Sequence, residues 1–293
     1  MRNTAAREIE KYCQDNQDGF LIAGDAGFGV WENFQNRYPK QYINTGINEQ
    51  ATIGFASGMA LSGHKVFYYN IIPFVLMRCY EQVRIDICYQ NLPVILIGIG
   101  SGITYAPAGM THYSVEDIAL AKTMPNLNII SPSDPIQVKK AIEYAIESKN
   151  PTYIRISRSG EPILFDDNID ITKPNFINKS DSKNILILHG SIVDEVSKIL
   201  DIIDINIVTV PMLTSSFEWE QFVEKYENIF TYEEHFINGG LGTILLDKVE
   251  KKIIKFGLPN EYIHKIGDRD FLREYYKIDG KSIGNKIKDI LNG

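Results

Sequence analysis

The chain has 293 residues, 44% of them apolar, and a net charge of −7. That length and apolar content suit two domains with real cores and exclude a disordered chain. No run of Lys and Arg and no apolar stretch of spanning length occurs, so nucleic acid, an anionic membrane and a membrane span are all unexpected.

Residues 1–17 have the spacing of an amphipathic helix. Glu8, Glu10 and Asp15 among its basic residues make it an ordinary first helix rather than a signal or transit peptide. Phe20–Ala23 reads as a short buried strand, closed by the turn Gly24-Asp25-Ala26-Gly27 at its carboxyl end. In open α/β sheets that end is where ligands gather. Tyr42–Asn44 is a second short strand that turns at Gly46 into a helix of small residues. Glu49 starts that helix, and Gly54 and Gly58, four apart, share one face and leave room for another backbone. A carboxylate at this position is either a complement to the helix dipole or a functional group, and this stretch alone leaves both open.

Lys65–Tyr69 is the next strand. Pro73 opens an element with helical periodicity over Phe74–Gln90, carrying Arg78, Tyr80, Glu81 and Gln82. Val94–Ile99 is a continuous apolar run, as in a parallel strand covered on both faces. A Gly-rich loop, Gly98–Met110, leads to Thr111-His112. A helix (116–123), a strand (127–131) and a helix (134–147) follow, the last with Ser133 or Asp134 as cap and Pro135 at its first position. Thr152–Ile156 is a strand ending in Ser157-Arg158-Ser159. Residues 159–183, broken by Pro162, Asp166, Asp167, Asn168, Pro174, Asn175 and Asn178, read as a linker. The βα rhythm resumes at Asn184, with strands at Ile185–Leu188, Ile205–Val210 and Ile229–Tyr232 and a helix near 241–252 opened by Gly239-Gly240. The expected fold is α/β: two doubly wound domains, 1–158 and 184–293, each with a mainly parallel sheet.

Gly98, Gly100 and Gly102 precede no Lys-Ser/Thr, and no acidic residue follows at dinucleotide spacing, so neither phosphate-loop reading holds. These glycines either let backbone approach a ligand or form a flexible loop. His112 lies on a loop at the expected ligand edge, where a substrate contact and a structural hydrogen bond are both open. Arg158, at a strand end, either binds a phosphate or anchors the linker. His64, His189, His235 and His264 show no ligand spacing and read as structural. Cys13, Cys79 and Cys88 lack metal spacing and read as free thiols in a reducing cytoplasm.

The ordered set Thr45-Gly46-Ile47-Asn48-Glu49-Gln50, Arg78-Cys79-Tyr80-Glu81-Gln82-Val83, Gly109-Met110-Thr111-His112, Met124-Pro125-Asn126-Leu127, Pro132-Ser133-Asp134 and Tyr232-Glu233-Glu234 with Gly239-Gly240 resembles the pyrimidine-binding and C-terminal domains of the transketolase family, deoxyxylulose-phosphate synthase included. The resemblance covers nearly the whole chain. It implies a transferase that uses thiamin diphosphate to move a two-carbon ketol unit. Glu49 then matches the glutamate that contacts N1′ of the aminopyrimidine and favours its imino tautomer, while the cofactor performs the carbanion chemistry. Asp25 matches a cofactor-contacting aspartate, and His112 a histidine that touches the donor substrate. Arg158 matches an arginine able to hold substrate phosphate. With Tyr80-Glu81-Gln82 aligned, Val75 and Arg78 occupy the usual cofactor positions, and Phe74 is the nearest aromatic to stack on the pyrimidine.

The departures are specific. Gly24-Asp25-Ala26 with Asn48 downstream lacks the third glycine and the interval of the family's diphosphate–magnesium motif, so no metal ligand is assigned in this chain. Ala108 stands where an acidic residue is usual, and Gly100 where a histidine is usual. The resemblance therefore implies one subunit of a split enzyme. A separate N-terminal transketolase subunit would carry most of the thiamin diphosphate and Mg2+ (or Ca2+) site, in a heterotetramer of two copies of each chain. A deoxyxylulose-phosphate synthase-like condensation, a 2-oxo-acid dehydrogenase β-type subunit and a non-catalytic scaffold are the alternatives.

Overall fold

The computed structural model describes residues 1–158 and 160–293; Ser159, the first residue of the expected linker, lies outside the described residues. The chain opens with α1 (Arg2–Asp15), β1 (Gly19–Ala23), α2 (Glu32–Arg37), β2 (Tyr42–Asn44), α3 (Glu49–Leu61) and β3 (Lys65–Ile71). A wide, π-type coil at Pro73–Met77, the short α4 (Tyr80–Gln82) and a second π-type coil at Val83–Tyr89 come next. Then follow β4 (Ile95–Ile99), α5 (Asp117–Lys122), β5 (Asn128–Ile130), α6 (Pro135–Glu147) and β6 (Thr152–Ile156). These strands form a wholly parallel sheet in the order β2-β1-β3-β4-β6-β5. Every crossover returns over a face, so β3, β4 and β6 are buried along nearly their whole length and their apolar runs need no alternation.

The remainder holds β7 (Asn175–Asn178), β8 (Asn184–Leu188), α7 (Val196–Leu200), β9 (Asn206–Thr209), α8 (Trp219–Val223), β10 (Asn228–Phe236), α9 (Leu241–Leu246), β11 (Ile253–Leu258), α10 (Arg269–Tyr275) and α11 (Gly280–Asn292). Its sheet runs β11-β10-β8-β9-β7, and among these described strands only β7 is antiparallel. The α/β, mainly parallel architecture agrees with the sequence. Four details differ. The stretch 159–183 is not all connection, because β7 pairs with β9. The helix expected over Phe74–Gln90 is wound mostly in π-type turns. The helix near 241–252 ends at Leu246, and β11 follows it. Lastly, β10 runs on past Tyr232 through a bulge to Phe236.

Local chemistry fixes the ends. Asp134 caps α6 by accepting from Gln137 N at 2.7 Å, with Pro135 at the first position. Asp268 and Asp279 cap α10 and α11 in the same way. One buried apolar cluster runs from Ile53 and Ile87 through Leu127 and Ile129 to Ile185, Trp219 and Leu241, so the two sheets share a core. Cys13, Cys79 and Cys88 are free and buried, and burial pushes each thiol up to about 12. No helix among the described residues is long and apolar enough to cross a membrane.

Candidate active site

The carboxyl ends of β1, β2, β3, β4 and β6 face one edge of the first sheet, and each is followed by a residue singled out above: Asp25, Glu49, Phe74 with Arg78, His112 and Arg158. The β2–α3 turn is held from within. Asn44 accepts from Gly46 N at 2.8 Å, Gly46 has φ +65°, and Thr52 Oγ1 donates to the Asn48 carbonyl at 2.7 Å while lying 2.8 Å from Thr45 Oγ1. This delivers Glu49 to the first position of α3 with a side chain only 5% exposed.

Arg78 Nη1 donates to Glu49 Oε1 at 2.8 Å, and its guanidinium carbon lies 4.1 Å from the centre of the Phe74 ring. Gln50 Nε2 donates to the Arg78 carbonyl at 3.3 Å and ties the two segments together. Glu49 Oε2 takes no hydrogen bond from any described residue. Phe74 in turn meets the His112 ring edge-on, centroids 5.4 Å apart, and His112 meets Tyr105 at 6.4 Å. Thr111 Oγ1 engages His112 Nδ1 at 2.9 Å and leaves Nε2 without a partner among the described residues. Glu49, Phe74, Arg78 and His112 are thus one continuous cluster.

The π-type coil after β3 carries both neighbouring candidates, Phe74 and Val75. A π-type turn accommodates one residue more than an α-turn. Val75 is fully buried in the core, whereas Phe74 is half-buried and faces the cluster. The aromatic next to the aligned position is therefore the one at the mouth.

Two participants were not legible in the sequence. A Cβ on Gly100, which has φ +87°, would run into the Tyr105 ring, so Tyr105 fills the space a side chain at 100 would claim. Burial raises the Tyr105 pKa, and the charges of Arg158 and then Arg2 pull it back down. Arg2 comes from α1, and its Nε is buried with no partner among the described residues. Arg158 is exposed. Asp25 stands apart from this cluster. It is exposed on the loop after β1, takes no hydrogen bond or ion pair from a described residue, and is held near β3 only through Gly24, whose N donates to the Tyr69 carbonyl at 3.2 Å. Ala108 is exposed on the loop between Tyr105 and His112. Among the described residues no three His, Cys, Asp or Glu side chains gather where a metal ion could sit.

Residues 1–161 match the family described as transketolase, pyrimidine binding domain. The chain belongs to the transketolase family. It is an enzyme subunit of that transferase class. It is 31% identical to an apulose-4-phosphate transketolase subunit of Actinobacillus succinogenes, over 94% of either chain. It is 30% identical to the putative transketolase C-terminal section of Methanocaldococcus jannaschii, over 87% of this chain and 84% of that one. The solved structure of a split gene transketolase, an inactive beta4 tetramer, superposes with a TM-score of 0.83 at 24% identity, covering 99% of this chain and 97% of that chain. The two-sheet fold is therefore a transketolase fold.

The transketolase cluster also passes a test of fit for the family's cofactor. A guanidinium is a flat, N–H-bearing cation. Here it lies on the Phe74 face and donates to Glu49 at the same time. An aminopyrimidine ring is likewise flat and offers a protonatable nitrogen at its edge, so these two surfaces are of the right kind to hold it.

Proposed function

We propose that this chain is the pyrimidine-binding subunit of a two-subunit, thiamin-diphosphate-dependent transketolase that moves a two-carbon ketol unit between sugars or sugar derivatives. The observation that carries this reading is the buried Glu49 carboxylate beside the Phe74 face, with one oxygen occupied by Arg78 and the other free of described partners. Thiamin diphosphate, when bound, supplies the carbanion chemistry of ketol transfer. Glu49 holds a proton at the pyrimidine N1′, and its near-complete burial keeps water from competing for that proton. Phe74 offers the stacking face that the Arg78 guanidinium covers in this structure, so Arg78 gives up that face when the ring binds. Asp25, on its exposed loop, adds a carboxylate to the cofactor's rim. His112 Nε2 hydrogen-bonds the donor ketose. Arg158, joined by Arg2, receives a phosphate at the far end of the substrate.

In this reading residues 1–158 form the pyrimidine-binding unit and 184–293 the C-terminal unit, and the connection 159–183 adds β7 to the second sheet. Mg2+ and the diphosphate are held by a separate N-terminal subunit, in a cytoplasmic heterotetramer of two copies of each chain. Ile47, Phe55, Leu61 and Tyr89 are exposed large apolar side chains on and beside α3. Nothing meets a Cβ added at Gly58. These exposed side chains supply apolar surface around α3 for the partner subunit. The test is isothermal titration of thiamin diphosphate with Mg2+ into this chain alone and into its complex with the N-terminal subunit. Tight binding is expected for the complex only. Tight, stoichiometric binding by the isolated chain would overturn the split-site reading.

A further inference from the structure

The loop that carries Tyr105 and His112 is anchored by both sheets: Ser101 N donates to the Ile156 carbonyl of β6 at 3.1 Å, and the rest of its root reaches the second sheet. Its root is a two-residue bridge, with Gly102 N to Ser114 O at 3.2 Å and Ser114 N to Gly102 O at 2.9 Å. Immediately inside that bridge, Ile103 N donates to Glu234 Oε1 at 2.9 Å. Gly102 has φ +63°, and a Cβ there would collide with the same oxygen, so the backbone comes as close to Glu234 as glycine allows. At the other side of the root Phe236 N donates to the Val115 carbonyl at 2.7 Å. Arg155 Nη2 joins the Ser114 and Glu234 carbonyls at 2.8 and 3.2 Å. Both arms of the loop thus end on the β10 bulge.

Glu234 is itself held in place. Arg269 Nε lies 3.1 Å from each of its carboxylate oxygens, and Arg273 Nε donates to Oε2 at 2.7 Å. Both arginines come from α10, one turn apart. Arg269 Nη2 also donates to Ser191 Oγ at 2.6 Å. Two guanidinium groups, one buried and one half-buried, already satisfy the carboxylate, and burying such a cluster contributes little net stability. Its third bond goes to the backbone amide from which the Tyr105–His112 segment departs.

We propose that Glu234 is a positioning residue for substrate binding. Braced by Arg269 and Arg273, it sets the loop that presents Tyr105 and His112, so the C-terminal unit acts on donor affinity without touching donor or cofactor. This inference rests on the transketolase reading for its kinetic consequence and not for its structural one. The experiment uses the complex of both subunits with Glu234→Gln, and with Arg269→Gln as the milder change, which leaves the Arg273 pair in place should the first variant fail to fold. Amide hydrogen exchange over residues 103–113 is expected to quicken about ten- to hundredfold, the effect of losing one charge-assisted hydrogen bond, while β4 stays protected. KM for the ketose donor should rise by a similar factor, with kcat at saturation and cofactor affinity held. A lowered Tm with loop exchange and KM at their wild-type values would overturn the proposal. If the wild-type complex transfers no ketol unit, the functional reading fails by itself. The exchange data then decide alone: faster exchange confined to 103–113 supports the latch, and unchanged exchange refutes it.

Discussion

Replacing Glu49 by Gln separates a catalytic carboxylate from a structural one. Gln keeps the shape and can still accept from Arg78, so what it loses is charge and the ability to share a proton. The stability term follows from the 2.8 Å bond to Arg78. A charge-assisted hydrogen bond contributes about 1.5–3 kcal/mol and a neutral one about 0.5–1.5 kcal/mol, a difference of about 1 kcal/mol. Arg78 is 44% exposed, so solvent screens part of this and about 1 kcal/mol is an upper figure. That corresponds to a Tm shift of roughly 2–4 °C or less. The rate term is far larger, since acid–base contributions are worth about 10²–10⁴-fold. Calorimetry and steady-state kinetics on the same reconstituted variant should therefore show a small Tm change and a loss of most turnover. A variant that melts a few degrees lower yet turns over normally would make Glu49 a helix-end partner of Arg78, and the active-site reading would lose its central residue.

Replacing Arg158 or Arg2 by Ala should raise KM for a phosphorylated ketose by about ten- to a hundredfold each, the loss of one charged contact, and leave an unphosphorylated analogue unaffected. Equal KM values for all substrates would make Arg158 an anchor of the connection to 160–183. Acid titration tests the buried cluster. Burial alone would raise the Glu234 pKa, but Arg269 and then Arg273 overcome it and hold the carboxyl at about 2, against an ordinary 4.5. A depressed carboxylate pKa stabilises the fold above the unfolded-state value and loses that contribution as pH falls. About 3 kcal/mol should therefore disappear between pH 4.5 and 2, read from urea midpoints along that series, and Glu234→Gln should flatten the slope there.

The parts of this molecule that follow a regular period were legible in the sequence. The apolar run Val94–Ile99 is β4, the Asp134-Pro135 start is the α6 cap, and Glu49 opens α3. What escaped is aperiodic or formed at a distance. Over Phe74–Gln90 a helical repeat suggests one helix, but the chain is wound mostly in π-type turns; Phe74, the aromatic named from the sequence, lies in the cluster and Val75 in the core. Arg2 looks like any polar position of an amphipathic first helix. Its place in the fold comes from the packing of α1 against α6 and β1, which nothing in the local sequence gives. The side chain that answers Gly100 comes from five residues onward, across a loop whose path no local rule dictates. β7 hides in a stretch rich in Asn and Pro because it is a four-residue edge strand whose pairing partner, β9, lies far along the chain.

The bulge in β10 also constrains how this chain can vary. Neighbouring strand residues point to opposite faces, and Glu233 and Glu234 use both. Glu233 accepts from Leu241 N at 2.7 Å and Gly242 N at 3.2 Å and faces His189, while Glu234 faces the loop and α10. A slip of one residue would turn each carboxylate to the other side and strand Arg269 and Arg273 without a counter-ion. Deleting or inserting a single residue within 228–236 should therefore destabilise the second sheet. Length variation among natural versions of this chain should instead collect at the exposed turn 166–168, where the backbone belongs to neither sheet.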